Sequence, residues 1–263
     1  MDLELKNHHV LVTGGSRGIG LACAQAFLQE GARVSVVGRS QVHLDEARVQ
    51  LRDATGAEPA CFVADLTDAA AAAAMVEAVE QRGGPLDVLV NCAGAARRTP
   101  FSELDPQAWH AAMQAKFFAY IHVMDPVIKR MGARSSGAIV NVVGMGGKVP
   151  SKTHLAGGAA NAALMLASAG LAAAYGPLGV RVNAVNPAMT LTDRMAQGIA
   201  ADARLRQLSE EEVLRQANAN APLGRIAQPR EIADLVVFLC SARASYVTGA
   251  VINADGAASP MVV

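Results

Sequence analysis

Short valine-rich runs alternate along the chain with longer segments whose apolar residues recur at helical spacing. The runs 10–13, 33–37, 60–64, 88–91, 138–143, 181–186 and 250–253 are brief and mostly apolar, as strands covered on both faces must be. Between them, 18–30, 41–54, 68–82, 106–131, 157–174 and 230–241 read as helices that bury one side. Repeated strand–helix units predict an α/β fold: a doubly wound parallel sheet of about seven strands with right-handed crossovers, flanked by helices in three layers, α/β/α.

No linker, repeat or low-complexity tail breaks this pattern, so residues 1–263 are expected to form one domain. Two stretches depart from it. The polar segment 189–221 reads as an insertion, either a lid on the substrate side or a surface excursion. Met189, Met195 and Ile199 are its apolar candidates for lining a site, although packing within a lid helix is the favoured reading of them. The segment 154–180 carries no Asp, Glu, Lys or Arg and is long enough to span a bilayer. Its alanine and glycine content, the interruptions at Asn161, Ser168 and Tyr175, and Pro177 instead predict a buried helix, a turn and a strand. Small residues there permit close packing, including against a second subunit.

Composition narrows the function. Apolar residues make up 52% of the chain and charged residues 17%, with 23 Lys and Arg balancing 23 Asp and Glu. That balance argues against nucleic acid or an anionic membrane as the main partner. Arg97-Arg98 and Lys129-Arg130 are short basic clusters, read as solvated surface charge. The opening MDLELKNHHV shows neither the basic and apolar regions nor the cleavage site of a leader peptide, so a cytoplasmic location is expected. Cys23, Cys61, Cys92 and Cys240 have no metal-ligand spacing and suggest no disulfide framework, and the six histidines form no ligand set.

The sharpest chemistry follows the first strand. In VLVTGGSRGIG, Gly14, Gly18 and Gly20 stand between a strand and a helix start, where backbone can approach a diphosphate at the positive helix terminus. The second strand ends in Gly38-Arg39-Ser40, without the acid that would hold the ribose hydroxyls of NAD(H). Arg39 can pair with a 2′-phosphate, and Arg17 is a second contact. NADP(H) is therefore favoured over NAD(H), the alternative being that both arginines are merely solvated.

These residues resemble the short-chain dehydrogenase/reductase family over nearly the whole chain. TGGSRGIG, including Ser16, Arg17 and Ile19, matches its glycine motif. Asp65-Leu66 matches the acid beside the adenine, and Asn91-Cys92-Ala93-Gly94 its NNAG motif with Cys92 for the second Asn. RVNAVNP, ending at Pro187, matches the strand leading to the nicotinamide, Thr192 the threonine near the carboxamide, and GRIAQPREIADLVVFLCSARASYVTGAVINADG the C-terminal half. The resemblance implies oxidoreductase activity on a small-molecule substrate and a homodimer or homotetramer.

It also implies an Asn-Ser-Tyr-Lys catalytic set, and here the chain departs. Hydride transfer to a carbonyl creates an alkoxide, which needs a proton and hydrogen-bond donors. By motif context the four positions hold Lys116, Gly144, Gly157 and Asn161, and no Tyr occurs between Tyr120 and Tyr175. Pro187-Ala188 likewise replaces the family's Pro-Gly. Three readings stay open. A redox enzyme can use a relocated acid, with Lys116 (its pKa lowered by burial), His154 and Asn161 as candidates and Lys148, Ser151 and Lys152 nearby. A non-redox lyase, isomerase or hydrolase can occupy the enlarged pocket. A non-catalytic NADP(H) sensor or partner subunit fits an intact cofactor half beside an emptied catalytic half. The first is ranked slightly ahead.

Overall fold

Strand β1 (His9–Thr13) is buried at every position. Around it lie β2 (Arg33–Gly38), β3 (Ala60–Val63), β4 (Val88–Asn91), β5 (Gly137–Val142), β6 (Val180–Pro187) and β7 (Val251–Ala254). The computed structural model describes residues 1–94, 96–219 and 221–261, the side chains at 194, 197, 198, 201, 202, 204 and 205 excepted. Its strands form one parallel sheet in the order β3-β2-β1-β4-β5-β6-β7. The order reverses between β1 and β4, and a crevice is expected beyond the strand C-termini at such a switch point.

Period-two alternation in β1 divides the core. Val10 and Val12 face a cluster holding Phe27, Leu44 and Val236, while Leu11 faces one holding Val76, Val123 and Ile128. The first cluster draws on α1 (Gly18–Gln29), α2 (Gln41–Thr55) and α9 (Pro229–Cys240). The second draws on α3 (Ala69–Gly83) and α5 (Ala119–Ala133), with Ala172 from α6 (Leu155–Tyr175). The three layers are thus as the sequence predicts.

Helix starts follow local capping chemistry. Ser40 Oγ accepts from His43 N at 3.3 Å at the head of α2, and Asp68 accepts from Ala70 N and Ala71 N at the head of α3. Asp105 accepts from Ala108 N at the start of α4 (Pro106–Ala112), which has proline in its first turn.

The predicted helix 106–131 is continuous but not uniform. Residues Met113–Phe118 form a π turn between α4 and α5. The insertion 189–221 contains α7 (Asp193–Arg206) and α8 (Glu210–Ala219), which share a small core of Ile199, Ala203 and Val213 with Met195 packed against it. Packing within the insertion is therefore the observed role of Ile199 and Met195, while Met189 is 47% exposed. Helix α6 and the turn after it are long and apolar enough to cross a membrane by length and composition. One side of α6 is buried through Ala160, Leu164, Met165 and Ala172, whereas Leu166 on the other is 77% exposed.

Candidate active site

The loop between β1 and α1 is shaped by glycine. Gly14 (φ 64°) and Gly18 (φ 57°) have left-handed backbone that disfavours side chains. A methyl group on Gly14 would lie 2.8 Å from the backbone of Ala93, and one on Gly20 would strike the carbonyl of Gly14. Arg17 precedes α1 in extended conformation without capping the helix by its side chain, and no acid occupies the first turn. No carboxylate from the helix's own first turn therefore competes for the positive end of α1, which suits a diphosphate cradle. Thr192 reaches the same loop, its Cγ2 3.2 Å from where a Cβ on Gly18 would be. Ser16, Arg17, Gly18, Thr192 and Glu46 line a cleft of about 340 Å³ beside it.

At the end of β2, Gly38 packs beside Ser16 Oγ, and Arg39 is exposed. Thr67 donates from its amide at 3.0 Å and its hydroxyl at 2.8 Å to Asp65, holding that carboxyl below its usual range, with Arg39 adding to the effect. Arg17 stands 3.5 Å from Glu46, and both are at least half exposed. Leu66 is buried in the second core cluster.

Under the crevice, a polar network ties four elements together. Thr13 Oγ1 donates to Asn91 Oδ1 at 3.3 Å and accepts from Cys92 N and Ala93 N. Asn91 Nδ2 donates to Asn141 Oδ1 at 2.9 Å, and Asn141 Nδ2 to Ser168 Oγ at 2.9 Å. The side chain of Asn91, expected as a cofactor contact, is fully buried and engaged inward. Gly94 (φ 92°) lets the β4 loop approach the π turn so closely that a Cβ there would collide with the carbonyl of Ala115.

The π turn carries Lys116, a buried residue whose Nζ donates to Tyr120 Oη at 2.8 Å and to the Val142 carbonyl at 3.1 Å. Tyr120 Oη also donates to Val142 O at 2.6 Å, and burial holds this phenol well above its ordinary pKa. Two residues past β5's end, Gly144 (φ 127°) donates its amide to Asn186 Oδ1 at 3.3 Å. Asn161 Nδ2 faces it, 3.4 Å from where a Cβ on Gly144 would lie and 3.5 Å from one on Gly146.

The imidazole of His154, just before α6, lies over Gly157. A Cβ on Gly157 would fall 2.6 Å from Nε2 and 2.7 Å from Nδ1, and one on Gly146 would be 3.0 Å from Cδ2. His154 Nδ1 is buried with no hydrogen-bond partner among the described residues. Burial lowers this histidine's pKa, and the charges of Arg98 and Lys116 lower it further. The structure thus gathers His154 and Asn161 around Gly144, Gly146 and Gly157, with Lys116 held at Val142 and near enough for its charge to reach His154. The cofactor set Gly14, Ser16, Arg17, Gly18, Ile19, Gly20 and Thr192 meets at the head of α1, with Ala93 against Gly14 and Gly94 against the π turn. Arg39 and Asp65 lie apart at the β2–β3 edge, and Pro187 ends β6.

Sequence reasoning missed Tyr120, although its i+4 spacing from Lys116 was a legible signal. It also missed Asn186 and the effect of the exposed Arg98 charge on His154.

The family profile described as enoyl-(acyl carrier protein) reductase matches residues 14–258. A 2-(S)-hydroxypropyl-CoM dehydrogenase from Xanthobacter autotrophicus is 36% identical over 97% of this chain and 98% of its own length. L-Sorbose reductase from Gluconobacter frateurii, solved with NADPH and L-sorbose, superposes with a TM-score of 0.94 at 29% identity, covering 100% of both chains. An NADPH-bound short-chain oxidoreductase from Pseudomonas aeruginosa PAO1, described as containing an atypical catalytic center, superposes at 0.88 with 32% identity, covering 98% of this chain and 100% of its own.

Proposed function

Because the chain belongs to the short-chain dehydrogenase/reductase family, we propose that it is an NADP(H)-dependent oxidoreductase whose proton donor and acceptor is His154. The observation that carries this reading is the seating of the His154 ring over Gly157, the position where motif context places the family's tyrosine. The NADPH-bound relatives support the cofactor, and the one described as atypical supports a departure from the usual catalytic set.

The glycine loop and the amides opening α1 would hold the diphosphate, and Arg39 the 2′-phosphate. When bound, NADP(H) supplies a hydride to a carbonyl carbon or accepts one from a carbinol carbon. His154 meets the proton demand: its imidazolium gives a proton to the oxygen becoming a hydroxyl, and its neutral ring removes that proton in the reverse direction. Asn161 donates an amide hydrogen toward the same oxygen. Lys116, fixed by Tyr120 and the Val142 carbonyl, places positive charge where an alkoxide develops. Helices α7 and α8 act as a lid on the substrate side within the single domain 1–263. The outward face of α6, with exposed Leu166 and open space beside Gly170, is the face on which a homodimer or homotetramer would form.

The test is turnover of a ketone and alcohol panel by the His154→Ala variant. A loss of about 10² to 10⁴-fold with NADPH affinity retained is expected. Undiminished turnover rejects the role of His154. Tight NADPH binding by the unaltered chain with no turnover of any panel member would assign a sensor or partner subunit instead.

A further inference from the structure

Charge around the site is uneven in a way the balanced composition conceals. Between Asp125 and Asp193 the chain has no Asp or Glu at all, and none occurs from Asn91 to Ser102. Those two stretches supply both loops at the site's mouth. Backbone bonds zip them together: Thr99 N donates to Thr153 O and Phe101 N to Lys152 O, each at 3.0 Å. Arg98 reaches across to Thr153 Oγ1 at 3.5 Å, beside His154. Arg97, Arg98 and Lys152 are exposed and Lys148 is partly exposed. None of the four has an ion pair among the described residues, whereas Arg17, Arg48, Arg52, Lys129, Arg130 and Arg134 all have carboxylate partners. Just beyond these loops, Glu103 is exposed with no ion pair to any of the four among the described residues, and Asp105 is committed to capping α4.

Unpaired like charges held on two bonded loops repel one another, and an anion seated between them relieves that repulsion. We infer that the mouth formed by Arg97, Arg98, Lys148 and Lys152 is a binding site for an anionic group, a carboxylate or a phosphate, carried by the substrate. The inference rests on the oxidoreductase reading of the site and names its substrate class: an anionic carbonyl compound or the corresponding alcohol. Arg98 adjoins His154, so it grips the anion nearest the reacting oxygen, and the lysines attract the charge from further out.

Matched probes test this with the full chain and NADPH. Calorimetry on the NADPH complex compares 4-oxopentanoate with its methyl ester, and dihydroxyacetone phosphate with dihydroxyacetone. The same four compounds are assayed for NADPH oxidation. The charged member of a pair is expected to bind at least about tenfold more tightly. That ratio should collapse in an Arg98→Ala, Lys152→Ala double variant and shrink as salt is raised. Preference confined to the oxo acid assigns a carboxylate, and preference confined to the phosphate pair assigns a phosphoryl group. Equal binding within both pairs, a preference that survives the double variant, or no heat from any probe overturns the inference. Charged preference without NADPH oxidation by any probe sustains the anion site and counts against the oxidoreductase reading. Equal oxidation of both members sustains that reading and overturns the anion site.

Discussion

The ring of His154 occupies the space directly over Gly157, with Nε2 2.6 Å and Nδ1 2.7 Å from where that residue's Cβ would be. A methyl group at 157 must therefore push the imidazole away. Gly157→Ala is expected to lower turnover about 10²-fold or more. Alanine is the better helix former by about 1 kcal/mol, so thermal stability should hold or rise. Steady-state kinetics and a melting curve on the same preparation check both halves. Unaltered kinetics would detach His154 from the chemistry.

The pH dependence has a defined sign. Burial, Arg98 and Lys116 keep the His154 pKa below its ordinary value of 6.5. Reduction needs the imidazolium, so it slows as pH rises through that depressed value. Oxidation needs the neutral ring and speeds up over the same interval. Lys116→Met removes one depressing charge, and both midpoints should move to higher pH. Rate profiles in each direction measure this; a midpoint that stays put would separate the two residues.

Cofactor selection is expected to rest on Arg39 more than on Arg17. Arg39 is exposed at the end of β2, while Arg17 lies 3.5 Å from Glu46 and must leave that partner to serve an anion. Arg39→Ser should weaken NADPH binding about tenfold to a hundredfold and leave NADH almost unchanged. Fluorescence titration with both coenzymes decides it. An equal loss for both would remove Arg39 from 2′-phosphate recognition.

Asn141 links β4 to α6 by donating to Ser168 and accepting from Asn91. Asn141→Ala strands a buried amide hydrogen on Asn91 and should cost about 1–3 kcal/mol. Urea unfolding gives the number. A change below a few tenths would mean that the neighbouring groups find other partners.

The sheet was legible because strands covered on both faces must be apolar throughout, which valine-rich runs such as those around Leu11 and Leu89 announce directly. The glycine loop was legible because Gly14, Gly18 and Gly20 answer to backbone geometry alone. The π turn at Met113–Phe118 was not, since one widened turn leaves the apolar rhythm on both sides almost unchanged. Helices α7 and α8 were hidden by their polar surfaces, with Ile199, Ala203 and Val213 the buried core between them among the described side chains. The cysteines looked unrelated by spacing, yet the hydrogen bond with Cys92, together with burial, pushes the Cys23 thiol well above its usual pKa, and Cys240 lies in the same core cluster. The closeness of His154 to Gly157 was legible in their three-residue spacing, one helical turn, whereas its packing against Gly146 depends on the loop from Gly144 into α6.

The filling of the space over position 157 by the His154 ring also constrains how this protein can change. A residue larger than glycine there is harmful while the imidazole remains, yet tolerable once it has gone, so the two substitutions should be strongly non-additive. Whichever of the two positions changes first carries most of the loss, and the second change adds little to it.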